Sequence, residues 1–417
     1  MTTVLKSVTI VDPKGTYHHQ CVDIHLKDGM INAIGENLPL PQEAQVIELH
    51  NAFVSPGWFD TSVVLGEPGY EAAETIANGL KTAASSGFTE IMVQPHTLPV
   101  ADNAAVLHLL HQKASGQATA IHPIGALTMG SAGQALAELY DMQQAGAIAF
   151  GDYKKSMKNA NLFKIALQYV QDFNGRVLAY CEDDTLRGNG VVNEGITATR
   201  LGLKGIPSLA EELQVARNLF LLEYTGGALH IPTLSTAKSV ALVREAKARG
   251  LNVTCSVAVA HLVLTDTVLE TFDTRYKLSP PLRTVHDREA LWEGLRDNTI
   301  DCITSDHHPV DIECKKVEFD LAHEGSIGLE SAWGTLAAVL PMDLIVEKLT
   351  AGRAIFGLPP AVIAPGAAVN LTLFTTEETG TFTADQIRST SKNAALLGQP
   401  TLGKVLGIAR EKHLMLN

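Results

Sequence analysis

Alternating apolar and polar positions mark the two ends of this chain. The stretches "VLKSVTIVD", "CVDIHLKDGMINAIG" and "AQVIELHNAFVSP" open it, with Gly29 and Gly35 at the bends. Similar stretches close it: "AAVNLTLFTT", "GTFTADQI" and "GKVLGIAREKHLML". A period of two predicts half-buried strands, and neither set is large enough to hold a core by itself. The pattern predicts one small β-sandwich built from both termini, residues 1–54 and 351–417.

Between them, residues 55–350 alternate short apolar runs with helical periodicity. The runs are "AFVSPGWFDTSVV", "TEIMVQP", "TAIHPIGAL", "AIAFGD", "RVLAYCED", "ALHIPTLST", "LNVTCSVAVAHL" and "IDCITSDHHP". Helix-like pieces such as "SLAEELQVARNLFLLEYTG" and "STAKSVALVREAKARG" separate them and end on glycine, a common helix stop. Eight strand–helix units predict an α/β fold, a (β/α)8 TIM-type barrel. A doubly wound open sheet is disfavoured, because no glycine-rich phosphate loop follows the first strand.

Composition narrows the class. Of 417 residues, 46% are hydrophobic and 18% charged, which excludes a disordered chain. A formal net charge of −13 argues against a nucleic-acid or anionic-membrane surface. The first residues lack a signal-like apolar segment, and no run approaches the ~20 residues of a membrane span, so a cytoplasmic location is expected. Five scattered cysteines without C-x-x-C spacing read as reduced thiols.

Barrel chemistry sits at the C-terminal strand ends. These carry Thr61-Ser62-Val63-Val64, Gln94-Pro95-His96-Thr97, Gly151-Asp152, Tyr180-Cys181-Glu182-Asp183, Pro232-Thr233-Leu234-Ser235-Thr236 and Ser305-Asp306-His307-His308. With "GEPGYEAAETIANGLKTAASSGFTEIMVQPHT", "YKLSPPLR" and "GSIGLESAWGT", the chain resembles the dihydroorotases of the amidohydrolase superfamily over nearly its whole length. The resemblance implies a barrel flanked by a composite sandwich and, in active members, zinc at the barrel mouth. Their reaction interconverts dihydroorotate and carbamoyl-aspartate in pyrimidine synthesis.

The zinc ligands that the resemblance implies are replaced. The first-strand histidine positions hold Ser62 and Val64, the fifth-strand one Tyr180 and the sixth-strand one Thr233. Asp60 remains, as do Asp152 at a fourth-strand bridging position and Asp306 at the position of the eighth-strand base. The substrate-gripping arginine and its asparagine correspond to Gly66 and His96. A second asparagine corresponds to Ser279, and a closing histidine to Val310.

Zinc needs about four N, S or O donors, and valine has none while neutral hydroxyls are poor ones. Without a metal, water keeps a pKa near 15.7 rather than about 7, a handicap of roughly 12 kcal/mol in its ionisation. No metal and no intact catalytic set is therefore expected, with Asp306 a vestigial base. A relocated metal site from His96, Asp152, Asp306 and His307 is the sharper alternative; histidines bonded to backbone partners are the blander one. Cys181 reads as packing, and Ser235-Thr236 as a helix cap.

The expectation is a dihydroorotase homologue that has lost catalysis and persists as a structural or regulatory subunit. By resemblance its partners are aspartate transcarbamoylase and further copies of itself. The alternatives are an active cyclic-amide hydrolase with a rearranged metal site and a metabolite-binding sensor.

Overall fold

The computed structural model describes residues 2–417. Eight parallel strands form the barrel: Trp58–Val63, Phe88–Val93, Ala120–Gly125, Ala149–Phe150, Val177–Leu178, Leu229–Ile231, Val253–Ala258 and Cys302–Thr304. They lie side by side in chain order, and a bridge from Val63 to His307 brings the last strand back to the first. The Val64 amide donates to the His307 carbonyl at 2.8 Å across this seam. Each apolar run of the middle region thus yields one barrel strand, followed by helices such as Ile76–Ser85, Ser208–Thr225, Ala237–Ala248 and Val285–Arg296. Thr75 and Thr236 cap two of these, accepting from the amides of Asn78 and Ser239.

A second sheet takes strands from both ends of the chain. Its order is His413–Leu416, Val405–Arg410, Asn370–Phe374, Phe53–Pro56, Thr2–Ile10, Cys21–Lys27 and Met30–Gly35, with Gln45–Glu48 also paired to Thr2–Ile10. The joining ladder runs antiparallel from Phe53–Pro56 to Leu371–Phe374. Leu5, Ile10, Ile24, Val54, Leu371 and Leu373 fill its own small core.

Two readings of the pattern change. "AFVSPGWFDTSVV" is not one strand: it divides at Gly57, giving Phe53–Pro56 to the outer sheet and Trp58–Val63 to the barrel. A Cβ at Gly57 would lie 1.9 Å from Asn370 Oδ1 and 2.2 Å from Thr89 Oγ1, so only glycine fits between the two sheets. "GTFTADQI" does not join the outer sheet either. Thr379–Thr381 pairs with Pro400–Leu402 as a separate ribbon packed on the helix Leu329–Ala337.

Candidate active site

At the mouth, the eighth strand ends in a left-handed residue, Asp306 (φ 48°). Its carboxylate accepts from two directions: Ser62 Oγ donates to Oδ1 at 3.1 Å, and Lys154 Nζ to Oδ2 at 2.9 Å. Gln94 Nε2 donates in turn to Ser62 Oγ at 3.1 Å. Both members of the Lys154–Asp306 pair are largely withdrawn from solvent, 13% and 12% exposed. Lys154 is itself left-handed (φ 50°).

Across the mouth, the Tyr180 hydroxyl and Ser279 Oγ share a 2.6 Å hydrogen bond. Burial pushes the Tyr180 phenol well above its ordinary range, so it stays neutral. Thr233 (φ 50°) is buried, its amide donating to Ser256 Oγ at 3.2 Å. Ser62, Gln94, Asp152, Lys154, Tyr180, Thr233 and Asp306 together enclose a cavity of about 20 Å³, room for about one water molecule.

The remaining expected residues serve the walls. Asp60 is fully buried and stitches the seam, accepting from Thr304 Oγ1 and from the amides of Ser62 and Ser305, both at 3.0 Å. Burial pushes its carboxyl up to about 6, against the pull of these bonds. Asp152 is held by Thr128, whose amide (3.1 Å) and hydroxyl both donate to it; burial raises its pKa. Val64 is core.

His307 turns away from the mouth: its Nδ1 accepts from the Gly328 amide at 3.1 Å, and burial pushes its pKa down to about 4. His308 faces another way, packing edge-on against His96 at 5.2 Å and Tyr153 at 5.4 Å. His96 also stacks on Tyr70, and burial lowers its pKa. Adjacent strand-end residues point apart, as the pleat requires.

The relocated metal site is therefore not assembled. Asp152, His96 and His307 each point to a different neighbour, and Asp306 is occupied by a hydroxyl and an ammonium. Among the described residues, the cluster of His, Cys, Asp or Glu with ligand atoms within 4.8 Å is elsewhere: His18, His19 and Asp343. There, His18 Nδ1 already accepts from the Asp12 amide at 3.2 Å. Nor does the mouth suit zinc. It offers two carboxylates already taken up, Asp152 by Thr128 and Asp306 by Ser62 and Lys154, several neutral hydroxyls and a fixed cation next to the place a dication would need.

Two positions that the resemblance likened to substrate contacts are built into the fold. Gly66 is left-handed (φ 69°), and a Cβ there would lie 2.7 Å from the Tyr70 carbonyl oxygen, so the turn excludes an arginine. Val310 is buried beneath the segment 391–396, with Ser391 Oγ donating to its carbonyl at 2.7 Å. Cys181 is buried, its thiol pushed up to about 12, which rules out a nucleophilic thiolate near neutral pH.

Sequence reasoning missed Lys154 and Gln94. The signal for Lys154 was its place two residues beyond Asp152, in "GDYKKSMKN".

Residues 52–239 match the family described as "Dihydro-orotase-like". A dihydroorotase of Pelotomaculum thermopropionicum is 43% identical over 381 residues, spanning 89% of this chain and 88% of that protein. One of Geotalea daltonii is 38% identical over 410 residues, spanning 97% and 96%. In fold, an L-hydantoinase (dihydropyrimidinase) from Arthrobacter aurescens matches with a TM-score of 0.88 over 100% of this chain and 96% of that one, at 20% identity.

Proposed function

The chain belongs to the dihydroorotase family, and from that premise we propose that it is a non-catalytic member serving as a structural or regulatory subunit. The observation that carries the reading is the Lys154–Asp306 pair, 2.9 Å apart at the end of the eighth strand. A base must be free to take a proton from its substrate or water, yet this carboxylate has an ammonium on one oxygen and a hydroxyl on the other. The four side chains at the metal-histidine positions supply no imidazole: Val64 is core, and Ser62, Tyr180 and Thr233 border a cavity with room for about one water molecule. The partner we propose is aspartate transcarbamoylase, whose product is the substrate of an active dihydroorotase.

Two measurements test this. Metal analysis of protein purified without chelators, with assays of dihydroorotate hydrolysis and synthesis, is expected to give far less than one zinc per chain and no turnover. Near-stoichiometric zinc together with turnover of any cyclic ureide sinks the proposal. Co-elution with a transcarbamoylase, absent for either protein alone, tests the subunit role.

The combined variant Ser62→His, Val64→His, Tyr180→His and Thr233→His is expected to bind zinc weakly. Adding Lys154→Ala is expected to tighten that binding, since the competing cation is gone.

A further inference from the structure

Two small cavities meet at the Lys154–Asp306 pair. One, of about 20 Å³, is bordered by Ser62, Gln94, Tyr180 and Thr233. The other, of about 10 Å³, is bordered by His261, Ser305, Ser326 and Leu396. Lys154 and Asp306 line both, so the ion pair is the partition between them.

Around this partition stand acceptors without donors. His261 is 4% exposed, and its Nε2 donates to the Pro280 carbonyl at 3.1 Å. That bond leaves Nδ1 as a lone-pair acceptor, and among the described residues nothing donates to it. Burial keeps the ring neutral, its pKa pushed down to about 4. The Tyr153 hydroxyl, on a residue beside the first cavity, is sealed from solvent and also unpaired. Lys154 Nζ carries three N–H donors and, among the described residues, uses one of them, on Asp306 Oδ2. Its ammonium lies 5.3 Å from the centre of the Tyr153 ring. A carboxylate, a ring face and spare acceptors are what an N–H-bearing cation needs.

We propose that Lys154 is a tethered stand-in for a small organic ammonium, and that the mouth is a closed binding site for an unbranched primary amine, which enters by displacing that side chain from Asp306. The inference rests on the reading of a metal-free mouth. The chain is pinned just beyond Lys154: the Lys155 amide donates to the Asp152 carbonyl at 3.1 Å, and Ser156 Oγ to the Tyr180 carbonyl at 2.9 Å. The lysine side chain therefore swings out without unfolding the loop, and the two cavities join.

Charge selects the ligand class. An anion would face Asp152 and Asp306 with their countercharge withdrawn, and a neutral molecule would leave Asp306 buried and unpaired. A metal ion brings no N–H for His261 or Tyr153. The displaced stem is four carbons long, so the vacated space suits an aliphatic chain of about that length. Because the tethered ammonium competes at an effective concentration in the millimolar range, wild-type affinity is expected to be weak, on the order of 1–10 mM.

Ligand-observed NMR and thermal denaturation of the full chain, at constant ionic strength, test this with n-butylammonium, whose stem matches that of lysine. The wild type is expected to bind it at ~1–10 mM, and to bind neither n-butanol nor butyrate. Lys154→Ala should bind it at least ~10-fold more tightly and regain its lost melting temperature in its presence, whereas Asp306→Asn should abolish binding. Should Lys154→Ala not fold, Lys154→Gln, which keeps a hydrogen bond to Asp306 without the charge, should tighten binding in the same direction. Three results overturn the proposal. One is a wild type that takes up no n-butylammonium at ~100 mM even where Lys154→Ala does, since the pair is then a fixed bridge. Another is binding that survives Asp306→Asn. The third is n-butanol or butyrate bound as well as the amine. Zinc in the wild type defeats the metal-free reading, whereas a zinc-free protein indifferent to the amine defeats this inference alone.

Discussion

The floor and the mouth of the barrel each enclose a carboxylate, and they treat it differently. At the floor, Glu90 of the second strand meets His122 at 2.8 Å, Asn370 Nδ2 at 2.8 Å and the Arg353 guanidinium. Burial alone would raise its pKa, but His122 and Arg353 hold it below the ordinary range. At the mouth, Asp306 has Ser62 and Lys154. The floor joins barrel to outer sheet, because Asn370 begins an outer-sheet strand and Arg353 follows the last long barrel helix. Its network is redundant, while the mouth rests on one ammonium. A barrel floor carries stability and a barrel mouth carries chemistry. Here the mouth is closed by hydrogen-bonded side chains, under one electrostatic constraint: Asp306 needs a cation.

The sharpest way to break this contrast is Lys154→Met. It leaves a mostly buried carboxylate without its ion partner, and a loss of about 3–5 kcal/mol is expected in chemical denaturation. Combining it with Asp306→Asn should recover most of that loss; a double-mutant cycle with no coupling would contradict the constraint. At the floor, Arg353→Met should cost less, about 2 kcal/mol, since Glu90 keeps His122 and Asn370.

Acid offers a third test. His307 has a folded pKa of about 4 against an ordinary 6.5, so the unfolded chain binds the extra proton. Its contribution is therefore intact above pH 6.5 and lost as pH falls towards 4, by about 1.4 kcal/mol per pH unit. His307→Asn, which keeps an acceptor for the Gly328 amide, should flatten the acid limb of a stability–pH curve by that slope. Asp60, raised to about 6, works in the opposite sense: its contribution is present below about pH 4 and lost as pH rises through 6. The smallest effect expected is Tyr180→Phe, about 1 kcal/mol for the bond to Ser279, read from the melting temperature.

The eight strands were legible because burial on both faces leaves a continuous apolar run, and the outer strands because one-sided burial leaves alternation. The division at Gly57 was not, since the clash with Asn370 that demands glycine comes from a residue 313 positions away. That Ser62, Val64, Tyr180 and Thr233 stand at strand ends could be read. What fills the mouth could not. Lys154 lies in a run of lysines that looks like a solvated surface, and its left-handed backbone, together with a partner 152 residues away, escapes local periodicity. The same is true of Asp152, which resembles a metal bridge in sequence but is bound by Thr128 from the preceding strand's loop.

The seam between the outer sheet and the barrel bears on how the protein is made. The Trp58 amide meets the Thr372 hydroxyl across 314 residues, so during synthesis the early strand Phe53–Pro56 waits with an open edge until most of the barrel has left the ribosome. Its docking is a late event of high contact order. Chains that stall before residue 370 should expose that unpaired edge and be the ones that aggregate or are degraded.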